Sequence, residues 1–137
     1  MSHTLLILLL VALGGTMVGY LAASAAEDSS SDEAAVPVVH NVFFSLKDRS
    51  KESVDKLVAD CKKYLSTRPG VTYFACGVVS EGLERPVNDR DWDVGLHVVF
   101  KDRPAHDKYQ EDPEHLKFIA ENKDTWARVR VFDTDQK

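Results

Sequence analysis

The feature that most constrains the fold is an alternating apolar stretch that is followed closely by helical segments. Every second residue from Val94 to Phe100 is apolar, which is the period of a β-strand with one face in a core. Residues 101–104 break the alternation, and a short helical segment that carries Tyr109 follows. This order predicts a sheet with helices packed against it.

A second helix start lies just beyond Tyr109. Asp112 stands at a capping position and Pro113 at the first helical position, a combination that favours the beginning of a helix. The three-and-four spacing of a helix then places four residues on one face: His115, Phe118, Ile119 and Asn122. A phenol, Tyr109, and an imidazole, His115, are thereby expected beside one sheet, and they are the best chemical clue in the chain.

The N-terminus has the composition of a targeting segment. Residues 5–26 are uncharged and mostly apolar, with the most hydrophobic part at 5–13 and a small-x-small pattern at 23–25. These features are typical of a secretory signal peptide over residues 1–26, although no Lys or Arg precedes the apolar run. The run also has about the 20 residues that span a bilayer, so a retained membrane anchor is the alternative. Both interpretations predict an exported protein, periplasmic or extracellular; a buried cytosolic helix is a third interpretation.

Residues 27–37 are predicted to be a disordered acidic and Ser-rich linker. The stretch 28–33 contains no apolar residue, and such a segment cannot offset the entropy lost on ordering. The folded domain is therefore expected to span residues 38–137, a usual length for one domain.

The domain shows the element order β-α-β-β-α-β. The predicted strands are 38–46, 71–80, 92–100 and 128–133. The first helical region begins after the turn 47–50 and stops at 68–70, and the second follows the break at 101–104 and is itself broken at Pro113. This order is that of a ferredoxin-like α+β fold, an antiparallel sheet with helices on one face. In the first helix the predicted core stripe is Val54, Leu57, Val58, Cys61 and Leu65.

The first strand is apolar on both faces. His40 shares a face with Val42 and Phe44, whereas Val39 and Phe43 point the other way. The second face is too apolar to be left in water, so a second copy related by two-fold symmetry is the simplest cover. His97 alternates onto the face opposite Leu96, and we expect it at this dimer surface.

Charge and cysteine content narrow the function classes. The formal net charge of −5, with no basic cluster, argues against nucleic-acid binding. No cysteine pair has zinc-site spacing and no phosphate-binding loop lies outside the targeting segment, so neither metal nor organic cofactor is predicted. Cys61 and Cys76 lie on elements joined by one turn, which leaves a disulfide open; two buried free thiols are the favoured alternative.

Several segments in order resemble the stress-responsive dimeric α/β-barrel family, Dabb. They are His40 with Phe43-Phe44-Ser45-Leu46-Lys47, Arg68-Pro69-Gly70-Val71, residues 93–100, Tyr109, Asp112-Pro113-Glu114-His115 and Val129-Arg130-Val131-Phe132-Asp133. The resemblance implies a homodimer in which two sheets close a barrel. Most members of the family have no assigned reaction. One plant branch closes polyketide rings without a cofactor, using a Tyr and a His at the places of Tyr109 and His115, with a first-strand His matched by His40.

Two hypotheses of different classes follow. The first is a homodimeric module that binds a small apolar or phenolic ligand without chemistry, in which Tyr109, His115 and His40 pack in the core. The second is a cofactor-free acid/base enzyme similar to the polyketide cyclases, in which these three residues are catalytic. A small monooxygenase-like barrel is a more distant alternative. An apolar cavity on which all three side chains converge favours chemistry, and a filled cleft favours the simple module.

Overall fold

The computed structural model describes residues 35–137, so the predictions for the targeting segment 1–26 and for most of the linker lie outside the described residues. The elements are β1 (Val38–Leu46), α1 (Lys51–Leu65), β2 (Val71–Val78), β3 (Val94–Phe100), α2 (Arg103–Gln110), α3 (Pro113–Asn122) and β4 (Trp126–Asp135), with a single 3₁₀ turn, Lys123–Thr125, between α3 and β4.

The four strands form one antiparallel sheet in the order β2-β3-β1-β4. The first strand is thus central, as its two apolar faces predicted, and β4 is an edge strand. The predicted α+β, ferredoxin-like arrangement is confirmed.

The core lies between one face of the sheet and the helices. Along β1 every second residue from Val38 to Leu46 is buried, and β3 shows the same alternation from Leu96 to Phe100. The helices contribute Leu57, Cys61, Tyr64, Leu65, Tyr109 and Phe118 to the same cluster. The spacing of apolar residues therefore identified the buried face of each central strand correctly.

Side-chain caps begin each helix. Ser50 Oγ accepts from the Ser53 amide at 3.3 Å, Asp102 accepts from Ala105 at 2.7 Å, and Asp112 accepts from Glu114 at 2.8 Å. Each cap satisfies one of the backbone N–H groups that lack a partner in the first turn of a helix. The break between α2 and α3 falls at Glu111 and Asp112, immediately before Pro113 as predicted.

Gly70, in the turn after α1, fixes how closely that turn approaches α2. Its φ is +84°, and a Cβ atom at this position would lie 2.5 Å from Ala105 Cβ. Only glycine adopts this backbone conformation and leaves room for the neighbouring helix.

Three strands differ at their ends from those predicted. The third strand begins at Val94 rather than at residue 92. The second strand ends at Val78 rather than at residue 80, because its last partner on β3 is Val94. The last strand is longer than 128–133, because it pairs along β1 from Leu46 opposite Trp126 to Val38 opposite Asp135. Pairing with a neighbouring strand set these ends, and the local sequence does not reveal that pairing.

The core stripe of α1 was also incomplete, since it omitted Tyr64. The ring of Tyr64 is buried, and its hydroxyl lies 2.7 Å from Glu121 Oε2 on α3. A tyrosine can bury its ring while its hydroxyl reaches a polar partner, so Tyr64 joins the two helices.

The sheet face away from the helices is partly covered by the chain before β3. The Phe43 ring packs against Trp92 with centroids 5.1 Å apart and against Phe132 at 6.0 Å, and Arg130 donates to Asp89. Even so, Phe132 is 52% exposed. The long loop before β3 is mostly solvated, as predicted, but its last residues lie against this face.

Both cysteines are free in the structure; Cys61 is buried and Cys76 is half-buried. The favoured sequence interpretation, two buried free thiols, was therefore too strong for Cys76. Between residues 35 and 137, every helix is too short or too polar to span a bilayer.

Candidate active site

A cavity of about 180 Å³ lies between the sheet and the helices on the β4 side. Apolar side chains make up most of its wall: Val42, Phe44, Leu65, Leu96, Phe118, Ile119, Trp126, Val129 and Val131. The polar-tipped residues at the wall are His40, Tyr109, Gln110 and His115. Val129 and Val131 are exposed, so the cavity opens along the edge strand β4.

The three residues singled out from the sequence border this one cavity. Tyr109 ends α2 and His115 begins α3, and the break between the helices stacks their rings with centroids 4.3 Å apart and planes 29° apart. His40 enters from β1, with its ring centroid 6.2 Å from that of Tyr109. The structure thus brings the three side chains together, and their roles remain predictions.

His115 presents an unprotonated nitrogen. Its Nδ1 lies 3.4 Å from the Gln110 carbonyl oxygen, and a carbonyl only accepts, so Nδ1 carries the proton and Nε2 keeps its lone pair. Burial lowers the pKa of His115, and the nearby imidazoles of His40 and His106 also lower it. A neutral imidazole of this kind can accept a proton.

Tyr109 is held in the protonated form. Burial raises the pKa of its phenol above the ordinary value. The hydroxyl is buried and has no hydrogen-bond partner among the described residues. A buried donor without a partner costs about 1–3 kcal/mol, so an acceptor atom brought by a ligand would stabilise it.

Trp126 is a second wall residue with an unsatisfied donor. Its Nε1 is buried without a partner among the described residues, like the Tyr109 hydroxyl. Trp126 was not among the site residues predicted from the sequence, because it lies between the predicted helical region and the predicted last strand and belongs to neither.

Asp133, on β4, holds His40 in place. The two residues are directly opposite in the β1–β4 pairing, and His40 Nδ1 lies 2.6 Å from Asp133 Oδ1. Burial lowers the pKa of His40, and the hydrogen bond that its Nδ1 donates to Asp133 opposes this without reversing it. Asp133 therefore orients the His40 ring, with Nδ1 carrying the proton.

His106 is a further buried histidine that the sequence analysis did not single out. It lies on α2 three residues before Tyr109, and its ring centroid is 5.5 Å from that of His40. Its Nδ1 is 3.0 Å from Asp107 Oδ1, and its Nε2 is 3.1 Å from Gln110 Nε2. His106 and Tyr109 are three residues apart and therefore share a helix face, which was the signal that could have identified His106. The residues around them are polar, however, and form no apolar stripe that would have predicted a buried face.

His97 lies apart from this group, on the sheet face without helices, as predicted. Its Nδ1 is 2.7 Å from Asn41 Oδ1, and its ring packs against Phe43 with centroids 5.7 Å apart.

An antiparallel β-α-β-β-α-β sheet with a cavity under its helices defines a ferredoxin-like protein, and comparison with known proteins narrows this class. The model of the Stress responsive A/B Barrel Domain family, Dabb, matches residues 38–136. The chain belongs to this family, which confirms the resemblance drawn from the sequence. No curated protein sequence matches the chain.

Solved structures show the same fold. A Dabb family protein with a ferredoxin-like fold from Mesorhizobium loti is 25% identical, with a TM-score of 0.62 over 74% of this chain and 98% of that one. A dimeric ferredoxin-like protein of unknown function from Thermobifida fusca is 17% identical, with a TM-score of 0.62 over 74% and 92%. The hydroxynitrile lyase from Passiflora edulis is 20% identical, with a TM-score of 0.60 over 74% and 94%.

Proposed function

We propose that the cavity binds a small, mostly apolar ligand of about one aromatic ring that carries an acceptor oxygen. The proposal rests on the composition of the cavity wall. The wall is mostly apolar, but two buried donors in it, Tyr109 O–H and Trp126 Nε1–H, have no hydrogen-bond partner among residues 35–137.

The size of the cavity sets the size of the ligand. Its volume of about 180 Å³ is close to that of the engineered apolar cavity of about 150 Å³ that holds benzene. Common ligand pockets are larger, at about 300–1,000 Å³. A single ring with a hydroxyl or carbonyl group therefore fits inside the cavity.

Binding of one-ring compounds to the full-length protein tests the proposal. Calorimetry with phenol, benzaldehyde and toluene would compare ligands that share a ring and differ in the acceptor oxygen. We expect Tyr109→Phe to weaken the binding of phenol and benzaldehyde by about 2- to 10-fold. This corresponds to the loss of one hydrogen bond with a net contribution of about 0.5–1.5 kcal/mol. Toluene, which has no acceptor, should bind both proteins equally.

Tyr64→Phe is the matched control. Tyr64 is buried like Tyr109 but does not line the cavity, so the same loss of a hydroxyl there should leave all three affinities unchanged. Val131→Trp at the mouth of the cavity should weaken the binding of every ligand that enters the cavity. If phenol bound the wild-type protein, Tyr109→Phe and Val131→Trp with equal affinity, its binding site would lie outside this cavity.

A second candidate function is cofactor-free acid/base chemistry on a small carbonyl compound. The stacking of a protonated phenol on a neutral imidazole at the cavity wall favours it. Tyr109 would donate a hydrogen bond to the carbonyl oxygen while His115 Nε2 takes a proton from the adjacent carbon, and the same imidazole would return a proton afterwards. Such steps contribute about 10²–10⁴-fold. A neighbour of this fold, the Passiflora edulis protein, is a hydroxynitrile lyase, so the fold can support an enzyme.

Exchange of the methyl protons of acetophenone into deuterated water, followed by NMR, measures this reaction without a cofactor. We expect exchange above the buffer rate, reduced at least about 100-fold by His115→Gln. If ligand binding persists and exchange equals the buffer rate, the protein is a binding module and the enzymatic reading is wrong.

We also propose that the domain is a homodimer through the sheet face without helices. The half-buried Phe43 and the exposed Phe132 and Tyr73 support a covered face there, and the Thermobifida fusca neighbour is described as dimeric. Sedimentation of the full-length protein tests it, and a monomer at micromolar concentration would contradict it.

We also propose that the protein is exported, on the basis of the sequence of residues 1–26 alone. Cell fractionation and sequencing of the mature N-terminus would distinguish a cleaved signal from a retained anchor. Protein found in the cytosol with Met1 in place would contradict export.

A further inference from the structure

We propose that His40, His106 and Asp133 form a binding site for one divalent transition-metal ion of the zinc class. One donor atom from each of the three residues lies within 4.8 Å of the other two. The site is distinct from the stacked Tyr109–His115 pair, although His40 also borders the cavity.

Three different elements bring these donors together. His40 lies on β1, Asp133 is its direct partner on β4, and His106 comes from α2 above them. Both imidazoles are more than nine-tenths buried, with exposed fractions of 7% each. Because the residues are far apart in sequence, the site exists only in the folded domain.

The distances suit an ion after small adjustments. With metal–ligand bonds of about 2.0–2.1 Å, the donors of a tetrahedral zinc site stand about 3.4 Å apart. The three donors lie within 4.8 Å of one another, and His40 Nδ1 and Asp133 Oδ1 lie 2.6 Å apart. The longer separations would have to shorten and the His40–Asp133 separation to lengthen, by about 1 Å each. The His40 and His106 rings meet edge to face, with centroids 5.5 Å apart and planes at 63°.

The His106 imidazole is already oriented as a ligating histidine is, because its Nδ1 lies 3.0 Å from Asp107 Oδ1. His40 Nδ1 and Asp133 Oδ1 lie 2.6 Å apart, and an ion bound by both atoms would take the place of the proton between them. Ligating histidines generally donate one ring N–H to a carboxylate or carbonyl, which leaves the other nitrogen for the metal. At His106 that nitrogen, Nε2, now accepts from the Gln110 amide at 3.1 Å, and the exposed Gln110 side chain is free to leave.

The donor set selects the metal. Two imidazole nitrogens and one carboxylate oxygen suit zinc and its neighbours rather than calcium or magnesium, which prefer oxygen ligands. Three protein ligands leave a fourth position open, as in catalytic zinc sites. The partly exposed Asp133 side chain provides the route by which an ion would enter.

Cobalt and zinc titration of the metal-free, untagged full-length protein tests the proposal. We expect Co²⁺ to produce visible d–d absorption that saturates at one ion per chain, and Zn²⁺ to displace it. Zn²⁺ should also raise Tm, since an ion that binds only the folded state stabilises it. His106→Ala should weaken binding more than about tenfold, since losing even an outer-shell partner costs 10–100-fold.

Two variants keep the result interpretable. Asp133→Asn preserves the shape of a partly exposed side chain and should also weaken Zn²⁺ at least about tenfold, even if His106→Ala fails to fold. His97→Ala removes a half-buried histidine from the opposite sheet face and should leave affinity and stoichiometry unchanged. The proposal is overturned if no saturable one-to-one binding is seen, or if His97→Ala weakens binding as much as Asp133→Asn does.

Discussion

Phe43 and Phe44 are neighbours in sequence and lie on opposite faces of the same strand. Phe44 is 2% exposed and packs against Phe118 and Trp126 under the helices, with centroids 6.2 and 5.1 Å away. Phe43 is half-buried, and its ring packs against those of the loop residue Trp92, of Phe132 on the neighbouring strand and of His97. The helices of the same chain therefore cover one face of the sheet, whereas the other face is only partly covered.

The histidines repeat this division. His40 lies on the helix-covered face beside the cavity, where burial lowers its pKa and Asp133 fixes its ring. His97 lies on the other face, bonded to Asn41 and stacked edge to face with Phe43. Alternate residues of one strand therefore line the cavity on one face of the sheet and the proposed dimer contact on the other.

Truncation of the covered phenylalanine should have the largest effect. Phe44→Ala leaves a cavity between the sheet and α3, and we expect it to lower the free energy of unfolding by about 3–5 kcal/mol. Denaturant unfolding of the full-length protein measures this. Phe43→Ala, the matched change on the open face, should cost less at concentrations where the chain is monomeric; an equal cost would remove the distinction between the faces.

A charge on the open face should act on assembly. Phe43→Glu would place a carboxylate in the proposed dry interface, where an unpaired buried charge costs about 3–5 kcal/mol. We expect dissociation into monomers, observed by sedimentation equilibrium, with the fold retained by circular dichroism. A dimer of undiminished stability would show that this face is not the contact between copies.

A smaller effect is expected from pH. Burial lowers the pKa values of His40 and His115 in the folded state, whereas in the unfolded chain they return to about 6.5. As the pH falls below about 6.5, the unfolded chain binds protons that the folded one does not, so the free energy of unfolding decreases. Denaturant unfolding between pH 7.5 and 5 should show this, and His115→Gln should flatten the slope. An unchanged slope would mean that His115 titrates as it does in water.

The sequence identified the fold because its signals are local. The alternation from Val94 to Phe100 and the caps at Ser50 and Asp112 each predict an element without knowledge of its neighbours. Tyr109 and His115 could be placed together for the same reason, since one helix break lies between them.

The rest of the site depends on contacts between distant residues. Asp133 meets His40 through the register of β4 on β1, which no local pattern determines. His106 lies in a helix whose other residues are mostly polar, so nothing in its surroundings marked it as buried. The unsatisfied donors of Tyr109 and Trp126 likewise became visible only once the packing around them was known.

A crystal structure of the protein soaked with 4-bromophenol tests most directly whether the covered face holds a ligand site. The account predicts an anomalous bromine peak in the cavity between Phe44 and Ile119, with the ligand hydroxyl within hydrogen-bond distance of Tyr109 or Trp126. A bromine peak confined to the open face near Phe132, or an unoccupied cavity at a saturating ligand concentration, would contradict it.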